Sequence, residues 1–505
     1  MRTLLASLAL AALLPGVARA EWREVETAHF RIISESSPAD IEKFAARLES
    51  YDKLMRMVTG IKDEQAVKVR IFEVAGLSDV EKALNAPNSG VAGFYDSNAL
   101  GPFAVTPKKT GAGGRYFTPE LVLHHEYAHH FMLQYFPAIY PSWYVEGFAE
   151  LIGSSKLLSD GRIGYGMPAL HRGNEINAYW VPLQKLLTKE RIVYLDTYGQ
   201  GWALTHFLTF DSKRSGQLRN YLAALGQGKS VEEAAKAFGD LEELNRQARS
   251  YVTAGSFEYR PVKVEISQPV VLRTRLLSAG EAALIPETIA FDDSDLSEIR
   301  ASSDRNEERR HREHVLERTR EKAARYPLDE FAQQLLAEAE YAQGNYAQSK
   351  ATIDRLLVAS QDHPPALVLK SLLLSREAST LTGDSRKQQV AQARSLAVRA
   401  NRKNPANPRP LIAYYQSFNL PGEAPPKAAI DGLMQAVSLL PRDTGLRQVL
   451  VNQLARDRRY ADAIEWLMPI ANSPHQSPLR EAARKQLEQL KTAAATSGVK
   501  TATTN

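Results

Sequence analysis

The sequence predicts an α+β domain followed by an all-α domain built from helical repeats. Short runs of alternating apolar residues and one amphipathic helix occupy the first hundred residues. Two helices rich in histidine and glutamate follow, the first beginning near residue 118 and the second near Trp143. After residue 306, small and apolar residues recur at intervals of 34 and 36 residues. The predicted boundaries are 1–20 for a signal peptide, 21–255 for the α+β domain, 256–305 for a strand-containing connector, 306–490 for the repeats and 491–505 for a disordered tail.

The N-terminal residues have the pattern of a secretory signal peptide. Arg2 precedes an apolar run from Leu4 to Leu14, and an Ala-x-Ala cleavage pattern ends at Ala20. That run is too short to span a bilayer, and no later segment is a better candidate. The chain has no cysteine, which excludes disulfides, thiolate ligands, a cysteine nucleophile and a lipoprotein anchor. We therefore expect an exported bacterial protein, periplasmic or secreted, without a membrane span.

The charge pattern argues against nucleic-acid binding. The 505-residue chain carries a formal charge of +5, and its basic residues are interspersed with acids, as in Glu307–Glu313. No basic stripe carries interleaved aromatic residues. The glycine-rich segment Gly111–Gly114 lacks the Gly-Lys-Ser/Thr ending of a phosphate loop, so we interpret it as a flexible approach to the following helix.

Local patterns place the elements of the first domain. Apolar alternation predicts strands, the strand at 67–72 being half-buried, whereas amphipathic periodicity predicts helices. The predicted strands are 29–33, 67–72, 103–105, 262–266 and 270–272, and the predicted helical stretches are 38–58 and 194–253.

The segment HEYAH at residues 125–129 lies on a predicted helix that begins at Thr118 as N-cap, with Pro119 at the first helical position. Residues four apart share a helix face, so His125 and His129 can direct two imidazoles at one metal ion. Glu126 is the residue after His125, so its carboxylate lies near the metal position but off the ligand face. A general base that takes a proton from a metal-bound water is needed there.

A second helix, which begins near Trp143 after two prolines, supplies a carboxylate. Glu146 is the expected third ligand, and Glu150, one turn later, is the alternative ligand or a carboxylate that orients a histidine. Two histidines, one glutamate and an open position form the ligand set of a catalytic zinc. The sequence therefore predicts one Zn²⁺ per chain.

His124 and His130 flank the pentad but point about 100° away from the ligand pair. We expect both to be partly buried and hydrogen-bonded to the backbone rather than to bind the metal.

The HExxH segment together with Trp143-x-x-Glu146-Gly147-x-Ala149 resembles the gluzincin metallopeptidases, and within them a peptidase MA-like group of exported bacterial proteins. The resemblance spans roughly residues 21–255. It implies that Glu146 is the third zinc ligand and that a sheet edge beside the zinc helix pairs with the substrate backbone. It also implies that Tyr198, which opens the segment Tyr-Gly-Gln-Gly, donates a hydrogen bond to the developing oxyanion. A core or capping role for Tyr198 remains the alternative.

Two departures from the gluzincin pattern limit what the resemblance implies. Gln200 stands where the related segment has lysine. The glycine-rich Met-Glu-Asn segment that holds the free amino group in aminopeptidases is absent from residues 90–105. Asp96 could anchor an amine there, or it could be a surface-loop residue. Aminopeptidase activity is therefore not expected.

The C-terminal part resembles tetratricopeptide repeats. Gly344–Tyr346 and Arg459–Tyr460 look like the start of the second helix of such a repeat. The characteristic small-residue positions of these helices are Ala393, Ala397, Ala400 and Pro405, then Ala429, Leu433, Ala436 and Pro441, then Ala463, Leu467 and Ile470. The step from Ser349 to Ala393 is 44 residues, which indicates an insertion. A plain helical bundle is the alternative.

These patterns together predict an exported zinc metallopeptidase whose repeats bind a substrate or a protein partner. A zinc-activated water would attack the peptide bond, with Glu126 as the base and Tyr198 stabilising the oxyanion. Two alternatives remain open. The chain could be a non-catalytic periplasmic repeat scaffold with a degenerate peptidase domain, or its zinc site could hydrolyse a non-peptide substrate.

Overall fold

The computed structural model describes residues 21–62, 67–84, 91–98, 100–108, 117–135, 140–187, 198–227, 229–293, 305–420, 422–471 and 478–496. The predicted signal peptide, the segment Gly111–Gly114 and the end of the predicted tail, residues 497–505, lie outside these ranges. Within the ranges described, no helix combines the length and the apolar character needed to cross a membrane.

Among the residues described, the strands lie between positions 23 and 276, and helices follow them. The strands are β1 (Arg23–Glu26), β2 (Phe30–Ser34), β3 (Val69–Val74), β4 (Phe94–Asn98), β5 (Gly101–Pro107), β6 (Lys156–Leu157), β7 (Ile163–Tyr165), β8 (Arg260–Val262) and β9 (Arg273–Leu276). The helices that accompany the strands are α1 (Pro38–Thr59), α2 (Leu77–Ala83), α3 (Pro119–Tyr135), α4 (Ser142–Gly153), α5 (Gly173–Ala178), α6 (Leu183–Leu186), α7 (Tyr198–Phe210), α8 (Gln217–Gly226), α9 (Val231–Ala235), α10 (Leu241–Ala254), α11 (Ala279–Ala283) and α12 (Ile285–Asp293). The repeat region comprises α13 (Arg305–Ala323), α14 (Glu330–Ala342), α15 (Tyr346–Ala359), α16 (Pro364–Ala378), α17 (Gly383–Lys403), α18 (Pro408–Gln416), α19 (Lys427–Leu439), α20 (Thr444–Arg456), α21 (Tyr460–Ala471) and α22 (Pro478–Thr496).

Six strands form a mixed sheet in the order β4-β5-β3-β2-β1-β9. The central strands β2, β3 and β5 are parallel, whereas β4 pairs with β5, and β1 with β2 and β9, in antiparallel register. A second, smaller antiparallel sheet contains β6, β7 and β8. The predicted strands at 29–33, 67–72 and 103–105 correspond to β2, β3 and β5, and β1 and β4 are additional.

The predicted half-buried pattern of the strand at 67–72 holds up to Ile71, since Lys68 and Arg70 are partly exposed, but the end of β3 is covered on both faces. Val69 and Ile71 of β3 pack in the core formed with α1 and α3. Phe72 and Val74 of the same strand pack on the opposite side with α2 and α12. Successive side chains of a strand point to opposite faces, and helices on both sides bury both sets. One of these covering helices, α3, carries the histidine pentad.

Residues 256–290 differ from the prediction. In place of the expected strand at 262–266, β8 begins at Arg260 and ends at Val262. In place of the expected strand at 270–272, β9 begins only at Arg273. Val264, Val270 and Val271 pack against the main core without belonging to a strand, so their apolar character reflects burial rather than strand pairing. β8 and β9 pair with β7 and β1, which joins this segment to both sheets of the N-terminal part.

Helices α4 and α7 touch through two glycines. A Cβ placed on Gly147 would lie 2.3 Å from the carbonyl oxygen of Gly201 and 2.3 Å from Oγ1 of Thr205. A Cβ placed on Gly201 would lie 2.4 Å from the carbonyl oxygen of Trp143. The absence of side chains lets the two backbones meet, which brings the N-terminus of α7 beside the carboxylates of α4.

We expect Gly147→Ala to lower the free energy of unfolding by about 3 kcal/mol, because the added methyl group must displace backbone of α7. Chemical denaturation of the purified protein measures the change. Gly226→Ala is the matched control, since a Cβ at this helical glycine meets nothing within 4 Å. A loss of stability in Gly147→Ala no larger than that of the control would contradict the close contact.

The C-terminal part is a succession of helices in which each of α13 to α21 packs against the helix that follows it. The predicted second-helix starts are confirmed, since α15 begins at Tyr346 and α21 at Tyr460. The predicted small-residue positions of α17, α19 and α21 are buried. The expected insertion coincides with a long helix, since α17 has 21 residues and α19 has 13. This part therefore has the character of a helical repeat.

The repeats approach the first unit near the C-terminal end of α3. Gln134 Nε2 donates a hydrogen bond of 3.3 Å to the carbonyl oxygen of Ser438. The guanidinium carbon of Arg442 lies 5.1 Å from the centre of the Tyr95 ring in β4. The turn between α19 and α20 is thus in contact with the edge strand of the main sheet.

Candidate metal centre

The helix that carries the pentad begins as predicted. Thr118 Oγ1 accepts a hydrogen bond of 3.2 Å from the backbone N–H of Leu121, which is the N-cap interaction. Pro119 occupies the first helical position, where its missing N–H costs nothing. The start of α3 is therefore fixed six residues before His125.

The second helix begins at Ser142, directly after Pro141. Trp143 is 1% exposed and anchors the start of α4 in the core. At the other end, a Cβ on Gly153 would lie 3.3 Å from the carbonyl oxygen of Leu121 and 3.4 Å from the backbone nitrogen of His125. This close approach brings Glu146 and Glu150 of α4 against the histidines of α3.

Three ligand atoms converge between these helices. Nε2 of His125 and Nε2 of His129 are 3.1 Å apart, and Glu146 Oε2 lies 3.3 Å from the first and 3.4 Å from the second. A tetrahedral zinc ion with bonds of about 2.05 Å separates its ligand atoms by about 3.3 Å. The dimensions of this triangle therefore fit three ligands of a tetrahedral zinc ion. The structure brings together the three predicted ligands.

The burial of Glu146 also fits a cation. The residue is 4% exposed, and its Oε2 atom has no hydrogen-bond partner. Burial raises the pKa of this carboxyl, but the neighbouring His129 and His125 outweigh burial and hold the pKa well below its usual range. A buried carboxylate without a hydrogen bond is costly unless a positive charge neutralises it. A divalent ion at the triangle would satisfy Oε2 and both imidazoles together.

Glu150 contacts the outer side of a predicted ligand. Its Oε1 lies 3.2 Å from Nδ1 of His125, the ring nitrogen that faces away from the triangle. Although burial lowers the pKa of His125, its contacts with Glu146 and Glu150 raise it to about 10. A carboxylate on the second nitrogen of a metal-binding histidine fixes its tautomer and orientation. This geometry favours Glu146 as the ligand and Glu150 as its support.

Two residues that the sequence did not reveal complete the support of Glu150. His171 Nε2 lies 2.7 Å from Glu150 Oε2, and Arg172 Nη2 donates a hydrogen bond of 2.7 Å to Oε1. Burial raises the pKa of Glu150, but contacts with His125, His171 and Arg172 keep it well below its usual range. His171 and Arg172 lie in a short 3₁₀ turn, at Leu170–Arg172, whose sequence has no helical or strand periodicity that could have drawn attention to it.

The two predicted catalytic residues both lie near His125, one of the three converging ligands. Glu126 follows His125 on α3 and is partly exposed. The ring of Tyr198, at the first position of α7, has its centre 5.9 Å from that of His125. The guanidinium carbon of Arg172 lies 4.4 Å from the centre of the same tyrosine ring. Arg172 thus contacts both Glu150 and Tyr198, and it links the support of the ligand to the tyrosine.

Gln200, the departure from the related segment, has a structural role here. Its side chain is buried, accepts a hydrogen bond of 2.8 Å from the N–H of Val181 and donates one of 2.7 Å to the carbonyl oxygen of the same residue. These two bonds attach the start of α7 to the chain that precedes α6. The amide therefore positions the turn that carries Tyr198.

The environments of His124 and His130 differ from the prediction. Both are buried rather than partly buried, and their contacts are with side chains. His124 stacks on Tyr51 with ring centres 3.3 Å apart, and His130 Nδ1 lies 2.5 Å from the hydroxyl of Tyr95. Burial and a nearby arginine lower the pKa of each histidine to about 3. Both are neutral packing residues on faces of α3 turned away from the triangle.

Asp96 lies in β4 and pairs in register with Phe103, so the alternative of a surface loop was wrong. A separate cluster of His29, Glu49 and Asp52 also has metal-like spacing. Its carboxylates are already engaged, because Asp52 accepts hydrogen bonds from Arg56 and Tyr127 and Glu49 pairs with His29. These carboxylates have hydrogen-bond partners, unlike Oε2 of Glu146.

Comparison with known proteins gives little information on function. No protein-family model matches the chain, and no curated protein matches it. A solved structure that is similar is that of a thermophilic TPR protein from Thermus thermophilus. The two chains are 19% identical, the match covers 35% of this chain and 91% of the other, and the TM-score is 0.31. The helical-repeat character of the C-terminal part follows from its own packing, in which each of α13 to α21 contacts the next helix.

Proposed function

We propose that the protein is an exported, gluzincin-like zinc metallopeptidase. The observation that carries this proposal is the triangle of His125, His129 and Glu146, whose atoms have the spacing of three ligands around one zinc ion. Three protein ligands leave a fourth position open, which is typical of a catalytic rather than a structural zinc. The signal-peptide pattern of residues 1–20 supports the export part of the proposal.

Each residue around the triangle can take one role in amide hydrolysis. Zinc held there would act as a Lewis acid and lower the pKa of a water molecule bound to it. Glu126 accepts the proton of the attacking water and returns it to the leaving amine. Tyr198 donates a hydrogen bond to the oxygen that becomes negative in the tetrahedral intermediate. Glu150, held by His171 and Arg172, keeps His125 oriented through Nδ1.

The edge strand β4 is the proposed site for the substrate backbone. It ends the main sheet, lies against α3, and is tied to that helix by the contact between Tyr95 and His130. An extended peptide that pairs with such an edge gains affinity through its backbone with little sequence selectivity. The repeats approach the same strand at Arg442, so a partner or substrate bound to them would be presented close to the site.

The proposal is tested by metal analysis followed by cleavage of a mixed peptide library. We expect about one zinc per chain and cleavage that is lost with a chelator and restored by Zn²⁺. A folded protein that binds no zinc would favour the non-catalytic repeat scaffold. A protein that binds zinc stoichiometrically and cleaves no peptide would favour hydrolysis of a different bond.

We expect Tyr198→Phe to lower kcat by about 10²- to 10³-fold, because the phenol donates only to charge that develops in the transition state. Zinc content should not change, since Tyr198 is not one of the converging ligands. Steady-state kinetics on the best library peptide measure the effect. Tyr179→Phe, a change at an exposed tyrosine, serves as the control. Unchanged kcat in Tyr198→Phe would leave this tyrosine with a packing role only.

A further inference from the structure

A cavity lies on the other side of α4 from the metal centre. Its volume is about 640 Å³, and residues of α1, α3, α4, α7 and α8 line it. Tyr144, Phe148 and Leu151 of α4 are among these residues, and they lie roughly 140° to 160° around the helix from Glu146. The cavity is therefore separate from the proposed zinc site and from the residues that support it.

The walls of the cavity are mainly apolar, with the hydroxyls of Thr59, Thr205, Thr209 and Ser215 among them. Met132, Phe148, Leu151 and Leu208 line it and are buried in the protein. Cavities of about 300 to 1,000 Å³ with hydrophobic walls and a few polar groups are typical of small-molecule sites. Both the size and the lining of this cavity fall within that description.

Three tyrosines add hydrogen-bond donors to the apolar walls. Within the described ranges, Tyr140, Tyr144 and Tyr165 line the cavity and form no hydrogen bond through their hydroxyls. Burial raises the pKa of Tyr140 and of Tyr165 to about 12. Tyr140 and Tyr144 are half-buried and Tyr165 is buried, but none of the three hydroxyls is sealed inside the protein. Their hydroxyls are available to a bound molecule.

One cation, Arg219 of α8, lies among the lining residues. Its side chain is exposed, and within the described parts of the chain it forms no ion pair and no hydrogen bond. Arginine and tyrosine hydroxyls both donate hydrogen bonds, so the polar groups of the cavity match a head group that accepts them. A carboxylate is such a group and carries the opposite charge to Arg219.

We infer that this cavity binds a linear aliphatic carboxylic acid, with the hydrocarbon chain along the apolar walls and the carboxylate at Arg219. The apolar part of the lining favours a hydrocarbon chain over a fully polar ligand, and the guanidinium disfavours a long-chain amine. Such a site goes beyond the proposed peptidase function, since none of the residues that line it belongs to the metal centre.

The test is calorimetric titration of the full mature chain with decanoate and, separately, with 1-decanol. We expect saturable one-to-one binding of decanoate. Arg219→Gln should weaken decanoate binding at least about fivefold, because a charge-assisted hydrogen bond is lost, and should leave decanol binding unchanged. Arg246→Gln, a change at an exposed arginine outside the cavity lining, is the matched control and should bind both as the wild type does.

A further variant tests the location. Ala223→Trp places a large ring at an exposed lining position and should weaken the binding of both compounds without affecting folding. The proposal is overturned if the wild type does not bind decanoate saturably, if Arg219→Gln binds it as tightly as the wild type, or if Ala223→Trp leaves binding unchanged. None of these measurements depends on zinc or on peptide cleavage, so they are independent of the proposed function.

Discussion

Replacing Glu126 with glutamine is expected to lower the rate of peptide cleavage by about 10²- to 10⁴-fold, the usual contribution of a general base. The amide keeps the size and shape of the side chain but cannot accept the proton of the attacking water. Glu126 lies beside the triangle of ligands without contributing an atom to it. The variant should therefore retain about one zinc per chain. Cleavage rates and metal content measured on the same preparation separate these two properties.

The matched control for this change lies on the same helix. Glu120→Gln alters a half-exposed glutamate whose side chain pairs with Arg47, away from the triangle. This variant should cleave peptides at the rate of the wild type. If Glu126→Gln were as active as Glu120→Gln while zinc was present, another group would have to act as the base.

Glu146→Ala is expected to abolish stoichiometric zinc binding and, with it, peptide cleavage. The substitution removes the oxygen that lies 3.3 and 3.4 Å from the two imidazole nitrogens. Two histidines alone bind zinc far more weakly than three protein ligands. Metal content after dialysis against limiting zinc, and the zinc dissociation constant from competition with a chelator, measure the loss.

Glu150→Gln, compared with Glu146→Ala, shows which of the two glutamates binds zinc and which only orients His125. It keeps a hydrogen-bonding side chain beside His125 and Arg172 but removes the charge that orients the imidazole. We expect zinc affinity to fall by about 10- to 100-fold, as for other groups that hold a metal-binding histidine. If Glu150→Gln lost zinc more completely than Glu146→Ala, the assignment of the third ligand would be wrong. Thermal unfolding of each variant in the presence of a chelator shows whether it still folds.

The arrangement of the candidate site followed from local rules. His125 and His129 share a face because of helix geometry, and α4, which begins after Pro141, packs against α3 with Glu146 towards them. Helix geometry alone does not distinguish Glu146 from Glu150 as the ligand, since both lie on one face of α4. Only the distances show that one carboxylate meets Nε2 of His125 and the other meets Nδ1.

The parts that were missed depend on contacts distant in the chain. β4 contains Asp96, Ser97 and Asn98, residue types that disfavour strands, and it is a strand because it pairs with β5. His171 reaches Glu150 across 21 residues that include the short strands β6 and β7, and no local periodic pattern indicates this contact. The burial of both faces of β3 likewise depends on α12, more than two hundred residues later.

Strand β9 determines where the N-terminal part of the protein can be separated from the repeats. It pairs with β1 along four residues, and Arg275 of β9 forms ion pairs with Glu24 of β1 and with Glu281. A fragment that ends at residue 255 would lack β9 and would leave β1 as an unpaired edge, a site at which sheets of neighbouring molecules associate. A fragment that continues through α12 to Asp293 keeps that edge paired and also retains Ile285 and Ile289, which pack on Phe72 and Val74 of β3, so it is suited to expression apart from the repeats.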